Sequence, residues 1–545
     1  MAKALKVVAL VAVAVAVVVF AAPIAAGLTA AGGAIFGSSF AIAASAVVAA
    51  GLTIGLAAIG TLFRKAPSLS SSMADRLNAS INPTAPRKIV FGRTAGGADV
   101  RFNETYGSKK DRHAQVIAVA SHKVNAIKQF WHEDTLSWSN GVIVGNQSGI
   151  RRVVAQPHGQ RTNGVALGSG SYWSTTSSFT GSAYVGIEYN LDAKAWPSGV
   201  PQKITTVVEG CPLYDPRLDS TRGGSGSHRV EDQSTWGFLN GSVEIGRNPA
   251  LALLTYLIGY RINGQLVWGM GLPVHVLDLD NFREYANMCE ERVQVIDGGT
   301  VQRYTCDAIF STADTHESVI SAITAGMGSC KLTDVGGYYS LIGGYDDTIG
   351  PIQDLTDDDL VAAPGSTAPY SYTVAGPTRE TYNISTGKFA NPDELWQLAD
   401  WGSIKTDNLA DGIPRTVKLD FATVDRPETC QRIAKQFIAR EAKTPGFFSA
   451  TFGPRAFTVQ VGSLVYLTIR NQGWNKKLFR VEEQTETHDL IFQMRLREES
   501  SEVYAWDKNE GLAFPTTIRP PGYDPTTKIA VEGLSLTSTT YEVVN

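Results

Sequence analysis

An α+β, β-rich, multidomain protein is what the sequence predicts, and three observations carry that expectation. The chain has 545 residues, enough for roughly three or four domains. Strand-like runs with glycine punctuation crowd residues 87–145 and 447–504. Between them, helix-start residues repeatedly precede apolar periodic segments. A hydrophobic content of 43% supplies ordinary buried cores. A net charge of −4 argues against a dedicated nucleic-acid binder, which carries a basic domain or stripe.

The front of the chain stands apart. No charged side chain occurs from Val7 to Phe63, whereas Lys3 and Lys6 precede this stretch and Arg64 and Lys65 close it. Three readings stay open. The first is a signal peptide with Lys3 and Lys6 as its basic start, but the apolar composition runs far beyond an h-region of about 7–15 residues. The second is one or two membrane helices over 7–26 and 40–63, each near the roughly 20 residues that span a bilayer core, with Gly27, Gly32, Gly33 and Gly37 between them. The third is a segment buried inside an oligomer. Residues 1–66 are thus expected to be a helical, membrane-active or lumen-buried segment. Its representative positions are Val7, Val15, Phe20, Ile24, Phe36, Phe40, Leu52, Ile54, Leu62 and Phe63.

A polar linker, 67–84, leads into the body. A first β-rich domain is expected over 85–210. Its opening, RKIVFGRTAGGADVRF, reads as two strands around a hairpin at Ala95-Gly96-Gly97, and HAQVIAVA, KVNAIKQFW and GVIVG continue the pattern. An α/β insert follows over 211–350. Asn248 and Pro249 stand as N-cap and first residue of NPALALLTYLIGY. A second helix is expected to start on Asp280, and a third on Asp314 with Glu317 three residues on. KLTDVGGYYSLIGG reads as a hairpin. A second α+β region over 351–445 carries a helix opened by Asn391-Pro392 (DELWQLAD) and another opened by Pro427. The latter has Cys430, Ile433, Ala434, Phe437 and Ile438 on one stripe. A β-domain over 446–515 and a linker or docking tail over 516–545 complete the division.

The chemistry is sparse. The sequence contains no HExxH, GxSxG, P-loop or dinucleotide fingerprint, so no enzyme, cofactor or metal is expected. The residues with most chemical potential fall in CPLYDPRLDSTRGGSGSHRVED. Asp215, Asp219, His228, Glu231 and Asp232 are metal-ligand types, and Gly223, Gly224 and Gly226 suit a phosphate cradle. Their spacing matches no standard site, and a long surface loop turning at Asp215-Pro216 is the expectation. His122, His132 and Glu133 are expected at exposed strand positions, and Asp354, Asp357, Asp358 and Asp359 in a solvated loop. Cys211, Cys289, Cys306, Cys330 and Cys430 contain no CxxC and read as buried thiols. Sequons at Asn78, Asn103, Asn146, Asn240 and Asn383 matter only in a eukaryotic secretory setting.

Four blocks, in order, carry a family resemblance. They are RKIVFGRTAGGADVRFNETYGSKKDRHAQVIAVASHKVNAIKQFWHED; CPLYDPRLDSTRGGSGSHRVEDQSTWGFLNGSVEIGRNPALALLTYLI; YTCDAIFSTADTHESVISAITAGMGSCKLTDVGGYYSLIGG; and ETCQRIAKQFIAREAKTPGFFSATFGPRAFTVQVGSLVYLTI. Over about residues 85–515 the chain resembles the tail-tip central hub proteins of siphophages, the group of the lambda-like host-specificity proteins. The resemblance implies a homotrimer of β-barrel and α/β-insert domains in the virion. Such a hub closes the distal end of a tail tube, with genome DNA leaving through its lumen without specific binding. It also implies a distal tail protein, other tail-tip proteins and a tape measure protein as partners, and the host membrane on infection.

Two departures from the family follow. The chain ends soon after PPGYDPTTKIAVEGLSLTSTTYEVVN, where many relatives continue into fibronectin-type modules, so a separate fibre is expected to dock there. The apolar front is unusual for a hub, and packed on a threefold axis it would plug the lumen and later enter lipid. The competing class is an envelope-anchored bacterial binding protein with a periplasmic β-rich body.

Overall fold

The computed structural model describes residues 86–511, apart from 146–148, 161, 197–198, 202, 297, 329, 345–349, 363–368, 375–381, 406–412, 487–489 and 508–509. By internal contacts the chain divides into Met1–Leu512 and Ala513–Asn545, and every described residue belongs to the first unit. The apolar segment 1–66 and the tail 516–545 lie outside the described residues. No helix among the described residues is long and apolar enough to cross a membrane.

The protein is α+β and β-rich. Three successive strands, β1 (Lys88–Phe91), β2 (Arg93–Gly97) and β3 (Asp99–Tyr106), go to three different sheets. After them come β4 (Arg112–Ala120), β5 (Ala126–His132), β6 (Thr135–Ser139), β7 (Val142–Ile143), β8 (Ile150–Gln156), β9 (Ala183–Asn190) and β10 (Ile204–Glu209). They build a five-stranded sheet, β2-β10-β5-β6-β7, and a four-stranded one, β3-β4-β9-β8. One core serves both, drawing Ile117, Val185 and Ile187 from the second and Ile127, Phe130 and Ile204 from the first. Full burial of each such side chain is worth about 1.5–3 kcal/mol.

The expected hairpin at Ala95-Gly96-Gly97 is corrected here. These residues lie inside β2, where Ala95, Gly96 and Gly97 pair with Val207, Thr206 and Thr205 of β10. Gly96 lies against Ile309, whose Cδ1 a Cβ there would meet at 2.6 Å, and it makes no turn.

The middle region begins with α1 (Pro249–Ile258), buried along its whole length. The Asn248 side chain accepts from the N–H groups of Ala250 and Leu251, and Pro249 takes the first helical position, as the sequence predicts. Two short hairpins, β11 (Tyr260–Ile262) with β12 (Gln265–Trp268) and β13 (Arg292–Gln294) with β14 (Thr300–Gln302), flank α2 (Leu279–Glu290). The α2 cap is Asp278, two residues ahead of the expected Asp280. β15 (Ala308–Ser311) returns to pair antiparallel with β1. The cap of α3 (His316–Ala325) is Thr315 and not Asp314, whose carboxylate accepts from the Ser311 N–H instead. β16 (Lys331–Val335) and β17 (Tyr338–Ile342) form the expected hairpin, and Gly336 and Gly337 both adopt the positive φ that its two-residue turn requires.

β18 (Gln353–Thr356) and β19 (Tyr370–Thr373) are the edges of a six-stranded sheet. Between them lie β25 (Phe447–Phe452), β26 (Leu464–Thr468), β27 (Lys477–Glu486) and β28 (Phe492–Glu498), in the order β18-β26-β27-β28-β25-β19. Before them in sequence come β20 (Ile384–Thr386), β21 (Lys388–Asn391), β22 (Gln397–Asp400), β23 (Ile404–Lys405), β24 (Thr416–Lys418) and α4 (Pro427–Lys443). Pro427 opens α4 as predicted, and Cys430, Ile433, Ala434 and Ile438 are buried, with Phe437 half-buried. The helix expected over DELWQLAD is instead a single 3-10 turn, Pro392–Glu394, followed by β22. Leu395 and Trp396 take left-handed backbone angles, which ends any helix, and Trp396 is buried against Ala95, Val207 and Ala390. Burial of an indole overrides local helix propensity at this point.

Candidate functional site

Five of the polar groups singled out in the sequence, Asp215, Asp219, His228, His122 and His132, are buried and act as internal struts. The 211–232 segment is a surface loop only in its middle, where residues 220–227 are exposed apart from the half-buried Gly224, and it is largely buried on either side. Asp215 and Asp219 are fully buried, and His228 nearly so. Asp215 caps a 3-10 turn, accepting from the Arg217 N–H at 2.9 Å, and its carboxylate also takes Arg217 Nε and Nη2. Arg217 reaches on to both oxygens of Glu290 on α2, at 2.7 Å each. The Asn248 amide, while capping α1, donates to the same Glu290. One guanidinium therefore ties the loop to two helices.

Asp219 accepts from Tyr214 Oη (2.9 Å), Thr221 Oγ1 (2.6 Å) and the Thr221 N–H, with Arg229 at 3.2 Å. Burial works to raise this carboxyl, but the Thr221 and Tyr214 bonds and the Arg229 charge hold it below its ordinary range. His228 is pushed down by burial, against the pull of Asp215 and Asp219, and its Nδ1 accepts from the Asp215 N–H. Glu231 is exposed and pairs with Arg222, and Asp232 caps its own 3-10 turn through Ser234. Among the described residues, no group of three or more His, Cys, Asp or Glu is placed to hold a metal ion. The glycines do not form a phosphate cradle either. A Cβ on Gly224 would strike the Arg217 and Pro216 carbonyl oxygens at 2.4 Å, and one on Gly226 the Leu218 carbonyl at 2.6 Å. Carbonyl oxygens repel an anion, so these glycines serve tight backbone packing.

His122 and His132 are corrected from exposed to buried. His122 Nε2 accepts the Val90 N–H at 2.9 Å and Nδ1 faces the Lys123 carbonyl at 2.7 Å, which fixes a neutral ring. His132 sits between Ser137 Oγ (2.7 Å) and Tyr189 Oη (2.9 Å). Glu133 is exposed and takes a positive φ at the β5–β6 turn. The acidic run is a built turn and not merely a solvated loop. The Thr356 hydroxyl and Asp359 carboxylate form a capping box, and Arg455 and Arg470 pair with Asp359, Asp357 and Asp358. All five cysteines are free and buried. Asn383 is buried, with its amide bonded to the Ile413 carbonyl, whereas Asn78 and Asn146 lie outside the described residues, as do Val7, Val15 and the other apolar positions assigned to the front.

Sequence reasoning missed the strongest cluster. Arg247 is almost fully buried and donates Nε and Nη2 to the two oxygens of Asp307, at 2.8 Å each. Its Nη2 also bonds Asp425, and its Nη1 bonds Glu244. The Arg93 N–H of β2 donates to Asp307 Oδ1 at 2.7 Å, and the Asp307 N–H donates to the Thr423 carbonyl. Gly92, with φ +65°, allows this approach, since a Cβ there would lie 2.0 Å from the Cys306 carbonyl oxygen. Stretches near residues 92, 247, 307 and 425 thus meet on one cation. Burial pushes Asp307 up to about 6, with Arg247 opposing and Asp425 adding to the shift. Burial works against the Arg247 charge, yet Asp307 and Asp425 hold its pKa well above the usual value. No short-range sequence signal marks this cluster, because Arg93 and Asp307 lie 214 positions apart and Arg247 and Asp425 178.

The fold has solved counterparts. A chain of the "virion of native gene transfer agent (GTA) particle" matches with a TM-score of 0.51 at 16% identity, covering 85% of this chain and 97% of that one. The tail protein from Neisseria meningitidis MC58 matches at TM-score 0.29 and 9% identity, over 77% of this chain and 98% of its own. The 43 kDa tail protein of prophage MuSo2 from Shewanella oneidensis matches at 0.26 and 10%, over 77% and 96%. Only the first score is high enough to assign a fold, and it assigns that of the virion chain. No family model matches the sequence, and no curated protein matches it.

Proposed function

We propose that this chain is a structural virion protein of a phage-type tail, without catalytic function. More specifically, it is the trimeric central hub that closes the distal end of a siphophage tail tube and opens for DNA ejection. The observation that carries this reading is the shared fold with a gene transfer agent virion chain along 97% of that chain's length. The internal struts agree with it. A wall subunit under load has use for buried ion pairs that lock distant chain segments. The neighbours in the assembly are a distal tail protein, other tail-tip proteins and the tape measure protein.

Closed symmetry satisfies every interface of such a ring. Native mass measurement of the assembled hub is expected to give three copies, and a stable monomer under the same conditions would contradict the trimer. Residues 7–63 are proposed to plug the lumen and then enter the host membrane. A Val15→Asp substitution costs about 2.5–3.5 kcal/mol per chain at a bilayer centre. Particles carrying it are expected to adsorb normally and fail to deliver DNA; normal delivery would remove the membrane role.

A further inference from the structure

We propose that the basic end of the four-stranded sheet, with Tyr172 at its centre, docks onto the acidic middle region of a neighbouring copy of this chain. The inference rests on the homo-oligomer proposed above and names the surfaces through which the ring closes.

The first observation is Tyr172 itself, which is 87% exposed. Its backbone is nonetheless held firmly. The Tyr172 N–H donates to Glu104 Oε2 at 2.9 Å, and the Ser171 hydroxyl donates to the same oxygen at 2.8 Å. The next residue, Trp173, is buried against Phe102, Phe179 and Tyr184, with ring centroids 5.4, 5.4 and 5.7 Å away. A large side chain on a fixed backbone loses little conformational entropy when a partner covers it.

The second observation is the charge around it. The turn between β3 and β4 carries exposed Lys109 and Lys110, which have no ion partner among the described residues. Arg112 and Arg151 converge on Glu188 at 3.9 and 3.3 Å, and Arg152 donates to the Ala166 carbonyl. Strand register sets these groups at one end of the sheet: Arg112 lies opposite Tyr106, Ala114 opposite both Glu104 and Glu188, and Arg152 opposite Glu188. Tyrosine and arginine are the residues most enriched where interfaces concentrate their binding energy.

The third observation supplies the occupant. Residues 85–210 hold fourteen Lys and Arg against eight Asp and Glu, whereas residues 211–350 hold nine against seventeen. In the acidic region, Asp280 and Glu284 are exposed on α2; the Asp280 side chain, at 86%, pairs on one side with Arg283 of the same helix. Asp334 is exposed in β16 and pairs in register with Tyr339, whose carbonyl accepts the Asp278 N–H beside the start of α2. Tyr338 there is 51% exposed. Two unlike surfaces of opposite sign on one chain make a head-to-tail contact, the kind that repeats around a ring.

The test uses the full chain and native mass spectrometry across a salt series. Lys109→Glu with Lys110→Glu, and separately Asp280→Lys with Asp334→Lys, are each expected to weaken assembly at least ~10-fold. All four changes in one chain are expected to restore it, because the swapped charges again match. Tyr172→Ala is expected to weaken it ~10-fold at every salt concentration. All these residues are exposed, and unchanged melting of each variant confirms that the fold persists. A monomeric wild type would overturn the oligomer itself and this interface with it. A wild-type trimer indifferent to both charge pairs, or weakened by them without rescue in the fourfold swap, would overturn this interface alone.

Discussion

Arg247→Met is expected to destabilise the protein by about 3–5 kcal/mol, the cost of stranding buried charge when one partner of an ion pair is removed. Asp307 and Asp425 would then face each other with no guanidinium between them, and Asp307 is fully buried. At about 1 °C per kcal/mol for a cooperative unit of more than 400 residues, melting should fall by roughly 3–6 °C. Arg247→Lys keeps the charge but loses the two-pronged geometry, so a smaller loss is expected. The triple variant Arg247→Met, Asp307→Asn, Asp425→Asn should be more stable than Arg247→Met alone, because no charge is left unpaired. Equal melting of wild type and Arg247→Met would show that this cation does not hold the junction.

Acid is expected to loosen the protein below pH 6.5, through its buried histidines. Burial pushes both His122 and His132 down to about 4. The unfolded chain takes up these protons near 6.5 and the folded chain does not, so folding stability falls as pH drops from 6.5 to 4. Each ring contributes about 3 kcal/mol over that window. Asp307 acts in the opposite direction. Its folded value, about 6, lies above the ordinary carboxylate value, so it gains a proton first and returns about 3 kcal/mol as pH falls from 6 to 4. The net loss from these three groups is on the order of 3 kcal/mol. Denaturant midpoints measured from pH 7 to 4.5 should fall, and His132→Gln should flatten the slope whatever its stability at pH 7. Midpoints that hold steady or rise across that range would contradict the buried, neutral histidines.

Local signals in the sequence were reliable where the cause is local. Asn248 and Pro249 start α1 because one side chain and one ring satisfy the first turn, and Gly336-Gly337 closes its hairpin because the turn needs positive φ. They misled where the cause is distant. Gly96 resembles a turn residue but lies inside β2, opposite Thr206 and against Ile309, over 200 positions away. The Asn391-Pro392 start is real, yet Trp396 goes into a core shared with Ala95 and Val207 and stops the helix. Asp215, Asp219 and His228 look like exposed loop residues in the sequence because their burial depends on Arg217, Arg229 and Tyr214 folding over them. The pairing of β1 with β15 and the Arg247 junction have no local signature at all.

The hub assignment is tested most directly by a density map of the assembled particle in which this chain is traced. Three copies are expected around the tail axis at the distal end, with Tyr172 of each against α2 and the β16–β17 hairpin of the next. A chain traced to the capsid or the connector, or present as a single copy on the side of the tube, would contradict it.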